Sequence, residues 1–469
     1  MSERREIIIV GGGPGGYLAA LRCAQLGKRV TLIERDRIGG TCMNYGCIPV
    51  KYLLHQTRLY RDVRAAENLT GPVSDLRLDW SRVQTGKKKA VGNLVSGISF
   101  LLEKGKIEIK KGNARIAEDL TVTVESGQGE ELLKAEKIII ASGSRASGLP
   151  FIQPDGSDVV TSTEALEFSA IPKSLIICGA GVVGLELGTV YHRAGTDVTI
   201  LEIMPTILHS SDKEAAVRLE RILKRQGLKI YTRVKMEKVE KEKEGYVLSG
   251  HSLDTNSPLS FSAEKVLISV GRNAETESLF KGQPFLETDR GGFLKVNQEL
   301  ETSLANVYAI GDVIGGKLLA HKAYYDALTV AETVCGKERR SVDYSAIPTA
   351  VFTEPEFASV GQTQEEAEEG RGLRTKIGIF PLHANGRAMT MESTDGMIKI
   401  VADGDDKIIG AHIISPSASE MIPVLTMAVA RGMKLRDISS LVYIHPTVSE
   451  AIGEGALKAA NEALHILNK

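Results

Sequence analysis

Cysteine is scarce in this chain: five in 469 residues, Cys23, Cys42, Cys47, Cys178 and Cys335. So odd and sparse a set is unlike the disulfide framework of a small secreted domain. No sign of charge prevails either. The formal net charge is −1, which removes the electrostatic case for a nucleic acid or an anionic membrane as partner. No apolar run approaches the ~20 residues of a membrane-spanning helix. The opening MSERREIIIVGGG passes from a few polar residues straight into a strand pattern. That leaves no room for a signal peptide, so the expected location is cytoplasmic. What is present, 42% hydrophobic and 25% charged residues, is the make-up of a globular protein. The length suffices for about three domains at ~150 residues each.

The strongest pattern is a repeat. Residues 7–10 (IIIV) read as a short buried strand, followed by GGGPGGYLAALRCAQLG, a glycine turn opening a helix. A second strand, 28–33, ends at Glu34. Gly11, Gly13 and Gly16 fit GxGxxG: the first allows the tight turn, the second lets backbone approach a pyrophosphate, the third lets helix and strand pack closely. The helix N-terminus then points free N–H groups at the phosphates. Glu34 stands where a carboxylate can bond ribose hydroxyls. All of this recurs 168 residues later: strand 175–178, Gly179, Gly181 and Gly184, helix, strand 197–201, and Glu202. IIIASGS (138–144) and VLISVGR (266–272) are a further matched pair, each a buried strand ending in glycine. One GxGxxG is a weak signal; two complete units at one offset predict an α/β fold with two Rossmann-like dinucleotide-binding domains.

Cys42 and Cys47 lie in GGTCMNYGCIPVK, just beyond the first unit. They could be two buried thiols or half a zinc site. Zinc needs two more ligands at matching spacing, and there is no second cysteine pair. A dithiol beside a dinucleotide site reads instead as a redox pair. Two dinucleotide sites and a dithiol form a relay, with FAD in one site and a nicotinamide in the other. Glu202 favours NAD: it can bond a free 2′-hydroxyl, would repel the phosphate of NADP, and Ile203, Met204 and Pro205 offer no arginine. Cys23 and Cys178 read as small core residues, and Cys335, ending a helical run, as silent.

Between and beyond the repeats, residues 50–104 alternate helical runs with a loop near 70–75. Residues 107–140 look like short strands with a hairpin at 125–131. Residues 151–172 read as the crossing into the second nucleotide domain, and 229–265 as a strand meander. NVYAIGDV (306–313) is a strand ending at Gly311 and Asp312, with a helix from about Leu319. An aspartate there can hold a polar cofactor chain at the helix N-terminus. From Pro348 the pattern changes to FASVG, KIGIF, GMIKIV and IIGAHII, then helices at 417–431 and 449–467. This is an antiparallel sheet with helices, a C-terminal α+β domain. In it, LVYIHPTVSEAI places His445 five residues before Glu450, with Pro446 expected to open the following helix. A lone histidine is usually structural, but one with a nearby carboxylate suits an enzyme that must move protons at sulfur.

GGTCMNYGCIPVK, GAGVVGLELG, AIGDV, LAHKA, FASVG, ANGRA and HPTVSE, in this order over essentially the whole chain, resemble the class I pyridine nucleotide–disulfide oxidoreductase family, and within it the dihydrolipoyl dehydrogenase branch. The resemblance implies four segments: 1–150 and 274–345 for FAD, 151–273 for NAD, and 346–469 for dimerisation. It implies FAD contacts at the first fingerprint, Glu34, Gly40, Thr41, Lys51, Ala114, Ser142, Gly143, Ser144, Asp312, Leu318, Leu319, Ala320 and His321. NAD contacts would fall on Gly179 to Glu186, Glu202, Val234 and Gly271, and Lys51 and Glu186 would pair near the flavin. It implies a homodimer in which His445 and Glu450 of one subunit serve the Cys42–Cys47 pair of the other. Cys47 would be the flavin-proximal sulfur. The implied partner is a lipoylated carrier domain of a 2-oxoacid dehydrogenase complex or of glycine cleavage. Val50, Tyr443 and the pair Tyr324–Tyr325 depart from the family's frequent residues. A glutathione-reductase-like alternative is disfavoured by Glu202, and a mercuric-reductase-like one by a C-terminus without cysteines.

Overall fold

In the computed structural model the described residues are 5–66, 75–280, 285–338 and 342–468. Most of the loop expected near 70–75 lies outside them. The chain divides into two compact units.

The first unit comprises residues up to 53, 79–147 and 271–342. Its parallel sheet runs in the spatial order Glu108–Lys111, Val30–Glu34, Arg5–Val10, Gly129–Ile140, with Val307–Ala309 also paired to the last. The first half of strand Gly129–Ile140 turns away into an antiparallel hairpin with Thr121–Ser126 and Asn113–Ile116. Both faces of the sheet are covered, as a parallel sheet requires. Side chains alternate between two cores: Ile7, Ile9, Ile139 and Tyr308 enter one, Ile8, Val10, Ile140 and Val307 the other.

The second unit comprises residues 54–78, 148–270 and 343 onward. It repeats the nucleotide-binding sheet in the order Lys229–Tyr231, Asp197–Leu201, Ser174–Cys178, Lys265–Ile268, Val159–Val160, all parallel. The repeat extends to register. Ile7 pairs with Val30 and Val10 with Ile33; 168 residues on, Leu175 pairs with Val198 and Cys178 with Leu201. The expected meander is present as Val234–Glu242, Gly245–Ser252 and Pro258–Ala263. The C-terminal part is a five-stranded antiparallel sheet, with helices Ala418–Arg431 and Glu450–Ala459 sharing one core with it.

Two expectations about the last helix are corrected. It begins at Glu450, one residue from the expected 449, but Pro446 does not open it, because a turn at Val448 and Ser449 intervenes and Glu450 reaches back to bond the Thr447 N–H. It ends at Ala459 rather than near 467: Asn461 takes a left-handed conformation, and the Glu462 N–H bonds back to the Leu457 carbonyl, a helix stop to which asparagine is suited. Among the described residues no helix is long and apolar enough to cross a membrane.

Candidate active site

The two glycine turns are built alike. Gly11 and Gly179 hold φ of +104° and +108°, and a Cβ at either would strike a backbone carbonyl, of Ala141 or Ser269, at 2.3 or 2.4 Å. Only glycine fits there. A Cβ at Gly16 or Gly184 would meet the carbonyl of Gly11 or Gly179 at 1.7 or 2.1 Å, which is the close helix packing expected of the third glycine. The middle glycines differ. A Cβ at Gly181 would meet nothing within 4 Å, and one at Gly13 only Gly40 Cα at 4.0 Å. Both middle positions cap their helices, and neither has a side-chain cap. Each helix therefore presents uncapped N–H groups over open space, the arrangement that holds a pyrophosphate.

The two glutamates are also alike. Glu34 accepts the Gly12 N–H at 2.6 Å and the Asp36 N–H at 2.7 Å. Glu202 accepts the Ala180 N–H at 2.7 Å and the Met204 N–H at 2.8 Å. Each carboxylate is thus clamped between its glycine turn and its strand end. Each keeps further lone pairs for ribose hydroxyls. Val234 donates its N–H to the Glu202 carbonyl at 2.9 Å, closing the same corner.

A buried atom without a partner marks the first cradle. Ser142 Oγ is buried and accepts or donates no hydrogen bond among the described residues. Buried hydroxyls are nearly always bonded, so an orphan beside the Gly11 turn fits a ligand atom there. Gly143, at φ +77°, has open space where a Cβ would stand. Ser144 donates to Asp312 at 2.6 Å and accepts from Arg272 Nε at 2.7 Å. The Asp312 turn is fixed from below by a buried ion pair: Lys322 Nζ lies 2.9 Å from Asp326 and donates to the Gly311 carbonyl at 3.0 Å, while Asp326 accepts the Gly311 N–H at 3.0 Å. Leu319, Ala320 and His321 form the start of the helix Ala320–Val334, again without a side-chain cap.

The redox segment is pinned to this cradle. The Gly39 N–H bonds the Gly12 carbonyl at 2.8 Å, and a Cβ on Gly40 would lie 2.7 Å from Gly13 Cα. Cys42 sits in the short helix Gly40–Tyr45; Gly46 breaks it, and Cys47 starts the helix Cys47–Ala65. The two sulfurs are in contact. Cys42's pairing with Cys47 and its burial push its thiol well up, against the pull of Lys51 one turn along. Cys47 stands at the first position of its helix. Arg272, its ionisation lowered by burial, feels both Asp312 and Cys47. Tyr17 and Tyr324 share a hydrogen bond, and burial pushes both phenols up, with Cys42 adding to the effect.

In the second unit, His445 Nδ1 lies 2.9 Å from Glu450 Oε1, and Glu450 Oε2 accepts the Thr447 N–H at 2.8 Å. Burial opposes ionisation of Glu450, but the Thr447 N–H and then His445 hold its carboxyl below the usual range. Asn385 of ANGRA donates to the Thr447 carbonyl at 3.1 Å and steadies the turn. The His445 side chain itself is 80% exposed. Glu186 is buried and accepts the Phe352 N–H at 3.1 Å.

Within the first unit, then, Cys42, Cys47, Lys51, Ser142, Ser144 and Asp312 gather around one glycine turn. The Ala114 side chain is buried in the sheet core. Gly271 belongs to the first unit, where its carbonyl accepts the Ser147 N–H at 2.9 Å. Two of the departures are accommodated structurally. Val50 is buried, and Tyr443 donates its hydroxyl to the Ile438 carbonyl at 3.1 Å. Sequence reading missed Arg272, Tyr17 and the Lys322–Asp326 pair. Only the last had a signal, opposite charges four apart on a helix.

The family model described as pyridine nucleotide-disulphide oxidoreductase matches residues 5–327, and its dimerisation-domain model matches 347–456. The mitochondrial dihydrolipoyl dehydrogenase of Pisum sativum is 39% identical over 99% of this chain and 93% of its own length. The dihydrolipoyl dehydrogenase of Bacillus subtilis is 37% identical over 99% and 100%. Among solved structures, the flavoprotein disulfide reductase RclA of Escherichia coli, as its Cu(II) complex, superposes with a TM-score of 0.86 at 27% identity, covering 97% of this chain and 99% of that one. The doubled cradle, the dithiol against the first of them and these matches along nearly the whole length agree: the chain belongs to the pyridine nucleotide-disulphide oxidoreductase family, whose enzymes work with FAD and NAD.

Proposed function

We propose that the chain is a dihydrolipoyl dehydrogenase, oxidising dihydrolipoamide on a lipoylated carrier domain and reducing NAD. The observation that carries this is the Cys42–Cys47 contact against the Gly13 turn, in a chain whose second nucleotide unit ends at Glu202 with no arginine among the next three residues. The first glycine turn, Glu34, Ser142 and Asp312 would hold FAD, which when bound would supply two-electron transfer between the dithiol and the nicotinamide. Every other part of the work falls to side chains. A substrate thiolate attacks the disulfide at Cys42 and releases Cys47 as thiolate; the second substrate sulfur then displaces Cys42. Because thiolate is the nucleophile, a base must take the substrate proton, and His445, oriented by ionised Glu450, is suited to it. Glu202 selects NAD by bonding free ribose hydroxyls and repelling a 2′-phosphate.

His445 belongs in this scheme to the partner subunit of a homodimer. Its surroundings support that. Val442 is 100% exposed and Ile444 79%, with Leu441 also exposed. An apolar patch of this kind around a reactive side chain suits a surface that a second copy covers. The carrier domain would bring its lipoyl group to the completed site. The test is a steady-state comparison. Dihydrolipoamide with NAD should turn over at least a hundredfold better in kcat/KM than glutathione disulfide with NADPH; the reverse preference would refute the assignment.

A further inference from the structure

Cys23 and Cys335 are 312 residues apart in sequence and take no part in the relay, yet both side chains enter one core, close enough for each to bear on the other's ionisation. Cys23 is fully buried on the helix Pro14–Gln25, and Cys335 caps the C-terminal end of the helix Ala320–Val334, half-buried. The two helices pack along each other. The charges around them are uneven. Lys137 donates to the Val334 carbonyl at 2.7 Å, covering the negative end of the helix that would otherwise oppose a thiolate. Lys28 also faces Cys335, with Glu6 opposing. Contact with Cys23, then Lys28 and Lys137, lowers the Cys335 thiol against the effect of burial, while Cys23 is pushed up. Burial alone pushes Cys178, with no such neighbours, up to about 12. A partly exposed thiol with a lowered pKa, backed by a buried one, is the arrangement of an attacking and a resolving cysteine.

We propose that Cys23 and Cys335 are a second redox pair, oxidised by hydroperoxides and independent of the Cys42–Cys47 relay. The Cys335 thiolate attacks the terminal oxygen of a hydroperoxide. An S–O bond forms, the O–O bond breaks, and the leaving oxygen takes a proton to depart as alcohol or water. The Cys23 sulfur then attacks Cys335; the S–S bond forms, the S–O bond breaks, and hydroxide leaves with the Cys23 proton as water. One hydroperoxide is reduced for two thiols oxidised. The resulting disulfide would tie together the far ends of two helices whose N-termini stand at Gly13 and at Leu319.

The test uses the FAD-loaded full chain carrying Cys42→Ser and Cys47→Ser, so that only the three remaining thiols report. Hydrogen peroxide is added, free thiols are alkylated, and peptides are read by mass spectrometry. The expected result is loss of two of three thiols, with a Cys23–Cys335 cross-linked peptide and Cys178 still alkylated. With Cys23→Ala, Cys335 should stop at a sulfenic acid that dimedone traps; with Cys335→Ser, Cys23 should stay reduced. Iodoacetamide should label Cys335 at a lower pH in the folded protein than in the denatured one. If Cys23→Ala does not fold, the cross-linked peptide from the chain with both native cysteines still decides. No intramolecular cross-link, or Cys335 passing to sulfinic acid as readily with Cys23 present as without it, would overturn the proposal.

Discussion

The His445 imidazole and the Glu450 carboxylate are joined at 2.9 Å, and the carboxylate's second oxygen is fixed by the Thr447 N–H at 2.8 Å. One nitrogen of the ring is thereby engaged and the other left to face solvent or substrate. That fixes which atom can take a proton from a thiol. His445→Gln should lower turnover roughly 10²–10⁴-fold, the usual range for a lost acid–base group. Glu450→Gln should cost less, because it removes orientation and charge but leaves the base. The double variant should fall little below His445→Gln, since the pair acts as a unit. Pre-steady-state and steady-state rates of dihydrolipoamide oxidation measure all three. Additive losses would mean that the two residues act separately.

The glycine turns predict opposite behaviour at neighbouring positions. Gly181→Ala places a methyl in open space, so the protein should fold and keep FAD while its KM for NAD rises severalfold. Gly184→Ala drives a methyl to 2.1 Å from the Gly179 carbonyl, and should lower the thermal midpoint instead. Calorimetry and NAD kinetics on the two proteins separate ligand approach from packing. Equal loss of stability in both would show that the middle glycine has no ligand role.

Ser142 offers a test of the first cradle that does not depend on turnover. Among the described residues its buried hydroxyl has no hydrogen-bond partner. One neutral hydrogen bond contributes about 0.5–1.5 kcal/mol, so Ser142→Ala should weaken FAD retention roughly 2- to 13-fold. The apoprotein should lose little stability, because no protein bond is broken. Fluorescence titration of apoprotein with FAD gives the ratio; an unchanged dissociation constant would remove Ser142 from the cofactor site.

The cradles were readable in the sequence because their determinants are local. Three glycines and a glutamate at fixed separations dictate a turn, a helix start and a strand end, and the 168-residue offset carries through to strand register. His445 and Glu450 were readable for the same reason, lying within one turn. What sequence could not convey depends on distant segments meeting. Arg272 reaches Ser144 across 128 positions, and Cys335 finds Cys23 across most of the first unit. The overlong last helix is the converse case. Its apolar pattern continued past Ala459, but a single left-handed residue, Asn461, ended it.

Under the proposed function, cofactor choice falls to one carboxylate, that of Glu202. Glu202→Ala with Met204→Arg should lower kcat/KM for NAD and raise it for NADP. The substitution removes the repulsion and supplies a guanidinium for the 2′-phosphate. Met204 is exposed, so the arginine has room. An unchanged ratio of the two kcat/KM values would mean that ribose is read elsewhere.

If His445 serves the partner's cysteines, two dead proteins should make a live one. Subunits carrying Cys42→Ser, mixed with subunits carrying His445→Gln and reassociated, should give dimers with one intact site each. Activity should approach half that of the unmodified protein per mixed dimer. Confirmed mixed dimers without recovery would place His445 within its own subunit's site, or outside catalysis.

The most direct test of the account is anaerobic addition of one equivalent of dihydrolipoamide to the oxidised, FAD-loaded protein without NAD, followed by acid quench and alkylation. The account predicts two newly labelled cysteines, Cys42 and Cys47, with long-wavelength absorbance from a thiolate beside the flavin, and NADH on later addition of NAD. Unlabelled Cys42 and Cys47 with dihydrolipoamide unconsumed would contradict it.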